Sequence, residues 1–156
     1  MAEHPEPLIV LLAEDDSADE ALVRAALLEL ERSSDLFCVG DGAQLLDYLE
    51  HRGDFADVEA FPRPDVILMD LDMPRMSGDE ALRHIRTNPA RCDIPVAVVT
   101  GRDATRELAA SLEGAALFTK PFEFDDLVLL LHNLLTLVET QKRKAAERAS
   151  GQEHPA

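Results

Sequence analysis

The sequence has no tryptophan, one tyrosine, two cysteines and few basic side chains, and each scarcity narrows the field. Lys and Arg number 15 against 31 Asp and Glu, a formal charge of −16, which argues against electrostatic binding to DNA, RNA or anionic lipid. Expected partners are therefore proteins and cations. Cys38 lies in an apolar run and Cys92 in a polar connection, so there is no disulfide framework, both read as structural, and a reducing cytosol is implied. The first apolar stretch, "LIVLLA" at 8–13, has no positive flank and is too short for a signal sequence or a membrane span. A cytoplasmic location is expected. His4, His51, His84, His132 and His154 are scattered with no ligand spacing, so surface or helix positions are their default, His84 included. Gly42 in "DGAQ" suits a turn into a helix and carries no sign of a phosphate loop.

What is present is alternation. Apolar runs of strand length ("LIVLLA" 8–13, "LFCV" 36–39, "VILMD" 66–70, "PVAVVT" 95–100, "AALFT" 115–119) alternate with segments of helical period. The runs are continuous, as strands buried on both faces require, and the order predicts five right-handed βα units around a five-stranded parallel sheet with helices on both faces. Leu22, Val23, Ala26, Leu27 and Leu30 mark the inner face of the first helix, opened by a capping box of Ser17 and Glu20; Ser77 and Glu80 repeat the device before Ala81, Leu82 and Ile85. Residues 51–65 have no clear period and read as a long loop. One domain over 7–138 is expected, with an extension at 1–6 and a polar tail at 139–156 that is helical first and disordered at its end.

In an open α/β sheet ligands bind beyond the carboxyl ends of the strands, so the strand ends belong together. They are Glu14, Asp15 and Asp16 after the first, Asp70 and Asp72 after the third, Thr100 on the fourth, and Lys120 with Pro121 after the fifth. Two like charges about 4 Å apart repel by roughly 4 kcal/mol at an effective dielectric of 20, so clustered carboxylates need a cation or take up protons. Mg²⁺ suits such a rim, since it prefers one or two carboxylates, several waters and a phosphoryl oxygen. Helix capping would account for Asp16 but not for Asp70.

These residues resemble the receiver domains of two-component response regulators, over about residues 7–138. Four motifs carry the resemblance in the family's order: "LLAEDDSAD", "ILMDLDMPRMSG", "VAVVTG" and "FTKPF". It implies a CheY-like, flavodoxin-like (βα)5 fold in which Glu14 and Asp15 are metal-binding acids, Asp70 is the phosphoacceptor, and Asp72 offers its backbone carbonyl to Mg²⁺. Thr100 would move its hydroxyl onto the phosphoryl group, Lys120 would pair with a phosphoryl oxygen, and the Lys120–Pro121 bond would be cis. The implied donor is a phosphohistidine on a sensor histidine kinase, with an acyl phosphate that hydrolyses to reset the signal. The protein would be no enzyme beyond this self-phosphorylation and autodephosphorylation.

With no effector domain after residue 138, a stand-alone receiver is expected. The loop 51–65, "RPD" and "NPARCDIPVAVVT" resemble receivers paired with bacterial phytochrome kinases. Two departures stand out: Leu117 replaces the aromatic residue common three positions before the lysine, and the interval from Thr100 to Lys120 is short, which predicts a clipped fourth helix. Haloacid-dehalogenase-type phosphatases offer an alternative, because Asp70, Asp72, Thr100, Lys120, Asp125 and Asp126 mimic their series; a pseudo-receiver adaptor that is not phosphorylated is another. Nine of the twelve residues in "LVLLLHNLLTLV", 127–138, are apolar, more than one core-facing stripe needs. Helical spacing puts Leu127, Leu130, Leu131, Leu134 and Val138 inside and leaves Phe124, Val128 and Leu135 as an exposed second stripe, which predicts a homodimer on the fifth helix. Lys142, Arg143 and Lys144 would then meet acids on the partner.

Overall fold

The computed structural model describes residues 6–112 and 114–152. Five parallel strands, β1 (Leu8–Ala13), β2 (Ser34–Val39), β3 (Val66–Met69), β4 (Val96–Thr100) and β5 (Ala116–Thr119), form one sheet in the order β2-β1-β3-β4-β5. The helices are α1 (Ser17–Glu29), α2 (Gly42–Glu50), α3 (Gly78–Thr87), α4 (Arg106–Ser111) and α5 (Phe124–Gln152). The order reverses at β1, between β2 and β3, which places the carboxyl ends of β1 and β3 beside the crevice where such sheets bind ligands.

Both faces of the sheet are covered. Leu11, Ala13, Ile67, Met69, Val96 and Val98 pack against α2 and α3, while Leu8, Val10, Leu12, Val66, Leu68 and Ala97 pack against α1 and α5. Each strand thus feeds alternate side chains to two cores, so the runs read as continuously apolar.

Several local expectations change. Asp16 caps α1, its carboxylate accepting from the Ala18 and Asp19 amides, so the Ser17 and Glu20 box is displaced by one residue because a carboxylate takes two amides at once. Ser77 caps α3 by position but makes no side-chain bond there. Leu22 is half exposed instead of facing the core. The loop after α2 contains a single 3-10 turn at Gly53–Phe55 and is packed through Phe55 and Phe61 onto Tyr48. The Lys120–Pro121 bond is trans, as are all described peptide bonds, the isomer an X–Pro bond ordinarily prefers.

The fourth helix is clipped to six residues, as the short interval predicts. Leu117 packs partly buried against the core on the α2 and α3 face. Of the expected second stripe on α5 only Phe124 is exposed: Leu135 is fully buried, Val128 packs on the same core, and the other outward apolar residues are Leu129 and Leu137. The expected inner residues Leu127, Leu130, Leu131, Leu134 and Val138 do pack on the core, and the buried face is widened to take in Val128 and Leu135 because α5 packs on α1 as well as on the sheet. Lys142 pairs within its own chain, 3.2 Å from Asp65.

Candidate phosphoacceptor and metal site

Backbone hydrogen bonds align the strand ends before any side chain matters. The Asp70 amide donates to the Ala13 carbonyl (3.1 Å), that of Glu14 to Val39 (3.0 Å), and that of Lys120 to Thr100 (2.8 Å). Four strands therefore end level, and Glu14, Asp70, Thr100 and Lys120 face one rim. The turn after β3 is pressed against the start of α3, where a Cβ on Gly78 would lie 2.4 Å from the Asp70 carbonyl oxygen. Only glycine admits that approach. Across the rim, Arg75, itself at φ 64°, ties the same turn to the fully buried Asp41 that caps α2.

Carboxylate oxygens of Glu14, Asp15 and Asp70 lie within 4.8 Å of one another. Glu14 and Asp70 are buried and Asp15 is exposed, so the trio forms a shallow cup open to solvent on one side. Burial, with the nearby Asp70 charge adding to it and Lys120 opposing it, pushes the Glu14 carboxyl up to about 7. Lys120 Nζ lies 3.5 Å from Glu14 Oε2, 3.6 Å from Asp70 Oδ2 and 2.7 Å from Asp19 Oδ2. Burial alone would lower its pKa, but the Asp19 hydrogen bond and the Asp70 and Glu14 charges hold it above the ordinary lysine value.

Thr100 is fully buried, and its Oγ1 accepts from the Arg102 amide (3.1 Å). The Arg102 guanidinium grips the Asp72 carboxylate, whose pKa is lowered by that hydrogen bond. The Asp72 side chain thus points away from the trio, while its amide lies 3.4 Å from Asp70 Oδ1. Asp125 and Asp126 lie on the exposed first turn of α5 and do not join the cluster, which removes the late acids of the phosphatase series. Sequence reasoning missed Asp19 and Arg102. Asp19 looks like an ordinary acid in a helix's first turn, and Arg102 lies two residues beyond the end of β4, in the loop rather than at the strand end.

The donor set is all oxygen, negatively charged and crowded, and it fits a hard divalent cation better than a transition metal that prefers sulfur or imidazole. The cup sets clustered carboxylates beside the Lys120 ammonium, charges of the kind that phosphoryl transfer uses for positioning and charge neutralisation.

Comparison with known proteins agrees. The model of the response regulator receiver domain matches residues 10–132. The response regulator Rcp1 of Synechocystis sp. (strain ATCC 27184 / PCC 6803 / Kazusa) is 36% identical over 107 residues, 69% of this chain and 71% of that protein. The response regulator MprA of Mycobacterium sp. (strain KMS) is 30% identical over 83% of this chain, which spans 51% of that relative's length. Among solved structures, the bacteriophytochrome response regulator RtBRR superposes with a TM-score of 0.71 at 32% identity, covering 97% of this chain and 98% of the other. The Mn²⁺-bound form of Rcp1 gives 0.71 at 32% identity, over 82% and 91%. The fold, the order of motifs and these matches agree: the chain belongs to the response regulator receiver domain family.

Proposed function

We propose that Asp70 accepts a phosphoryl group from a phosphohistidine of a sensor histidine kinase, that Mg²⁺ held by Glu14, Asp15, Asp70 and the Asp72 backbone carbonyl is required, and that the product is a conformational switch. The observation that carries this reading is the convergence of three carboxylates and one lysine at the end of β3. An Asp70 oxygen attacks phosphorus, the P–N bond breaks, and its electron pair leaves with the imidazole. When bound, the cation supplies charge neutralisation for the phosphoryl oxygens. Lys120 neutralises a further oxygen, and Thr100 gives up the Arg102 amide to donate its hydroxyl to the new anion, which carries about −2. Water later cleaves the acyl phosphate, returning the Asp70 carboxylate and inorganic phosphate. Similarity to Rcp1 and RtBRR supports a phytochrome-type kinase as donor. Incubation with acetyl phosphate and Mg²⁺ followed by intact mass tests the chemistry. One adduct is expected that needs Mg²⁺ and is absent in Asp70→Asn; an adduct persisting in that variant contradicts it.

The fifth helix supports a homodimer, through a surface other than the sequence suggested. Ala116 and Phe118 of β5 and Leu129, Leu130, Leu134 and Leu137 of α5 line a groove of about 420 Å³ whose walls are mostly apolar. Burying Leu129 and Leu137 is worth roughly 1.5 to 3 kcal/mol each, and a two-fold axis applies the gain twice. Sedimentation of Leu129→Glu with Leu137→Glu decides: the wild type should be dimeric at tens of micromolar, by order of magnitude for such an interface, and the double variant monomeric.

A further inference from the structure

The lysine of the site hydrogen-bonds a residue outside the strand-end set. Asp19 Oδ2 is 2.7 Å from Lys120 Nζ, whereas Asp70 and Glu14 stand off at 3.6 and 3.5 Å. Capping does not explain this carboxylate, because Asp16 already takes the Ala18 and Asp19 amides. Burial does not force it either, since the side chains of Asp19 and Lys120 are about one third exposed. The contact joins residues 101 positions apart, from the first turn of α1 to the end of β5. It leaves the ammonium beside the acidic cup without being bound tightly to it.

We propose that Asp19 is a positioning residue for the phosphoryl-transfer reaction: its carboxylate holds Lys120 back from Asp70, keeping the cup open to a cation and making the phosphoryl group compete for its lysine. This rests on the reading of Asp70 as phosphoacceptor. In the resting protein an ammonium released from Asp19 would settle onto the nearest remaining carboxylates, those of Asp70 and Glu14, where it would oppose a divalent cation. Once a phosphoryl group is on Asp70, three new oxygens compete with Asp19 for the same ammonium. Asp19 therefore favours the first event, metal entry, and resists the last, capture of the phosphoryl group by Lys120. A residue that merely stabilised the fold would move both in the same direction or neither.

The test is calorimetric titration of the full chain with Mg²⁺ alone, then with beryllofluoride at saturating Mg²⁺, for wild type, Asp19→Asn, Lys120→Met and the double variant, with Asp19→Ser as a second replacement and thermal melting to confirm folding. Asp19→Asn should weaken Mg²⁺ and tighten beryllofluoride, each by roughly three- to tenfold, the scale of moving one charge by a few ångströms in a partly hydrated site. In the Lys120→Met background removal of Asp19 should change the Mg²⁺ constant by less than about half as much on a logarithmic scale, because the ammonium through which it acts is gone. An equal effect in both backgrounds makes Asp19 a bare charge and overturns the proposal, as do constants that weaken together or do not move. Failure of the wild type itself to bind Mg²⁺ and beryllofluoride would instead refute the assignment of Asp70.

Discussion

The flank around α2 and the flank around α4, β5 and α5 are built to different standards. On the first, Tyr48 is fully buried at the centre of a ring cluster, with centroids 6.0 Å from Phe37, 5.5 Å from Phe55 and 5.8 Å from Phe61, and its hydroxyl donates to the Pro62 carbonyl. The long loop is thereby fastened, with Arg91 donating to the Leu49 carbonyl and Arg63 to that of Ala90. On the second, α4 has six residues, β5 is an edge strand with Ala116 exposed, and Phe122, Leu129 and Leu137 face solvent. Thr100 and Lys120, the two groups proposed to sense a phosphoryl group, border this thinner flank: Thr100 ends β4 just before α4, and Lys120 directly follows β5. A charge change at Asp70 should be read out where rearrangement disturbs the fewest packed contacts.

Substitutions sharpen the contrast. The largest effect belongs to Tyr48→Ala, which empties the aromatic cluster and should cost about 3 to 5 kcal/mol by urea unfolding, with Mg²⁺ binding retained if the variant folds. Gly78→Ala should cost about 1 to 3 kcal/mol and slow acetyl phosphate labelling, because its methyl must displace the Asp70 backbone. Glu14 predicts a pH effect of opposite sign to that of an acid whose partner outweighs its burial, because burial here outweighs the Lys120 charge. Its folded value of about 7 lies above the ordinary 4.5, so the folded state holds its proton more tightly and stability falls as pH rises between those values. Metal-free Glu14→Gln should therefore exceed the wild type by on the order of 3 kcal/mol at pH 8 and match it below pH 4.5, while Mg²⁺ narrows the gap. Equal stabilities at pH 8 would contradict this. Phe122→Ser, on the thin flank, should change stability by less than about 0.5 kcal/mol.

The sheet was legible because its physics is local. A strand packed on both sides must be continuously apolar, and the five expected strands fall within two residues of those observed. The rim was legible for the same reason, since a carboxylate ending such a run needs a partner, and topology brings Glu14, Asp70, Thr100 and Lys120 together. What the sequence concealed depends on contacts between distant segments. Asp19 meets Lys120 only after α1 and β5 are placed on either side of the cup, and Arg102 meets Asp72 only across two loops. The α5 stripe went astray because helical counting assumes one partner surface, whereas α5 packs on both the sheet and α1. Asp16 displaced the expected capping box because two residues competed for one end of a helix, and the carboxylate satisfied more amides.

The central claim is that the acidic rim is a phosphoryl-driven switch whose response travels through the thin flank. Hydrogen exchange of the full chain, with and without beryllofluoride and Mg²⁺, addresses it directly, with Asp70→Asn as control. The predicted result is altered protection at 70–78 and across 100–137, no change across 42–64, and no response in the control. Equal changes around Tyr48, or a wild type that binds the analogue with no change between Thr100 and Leu137, would contradict it.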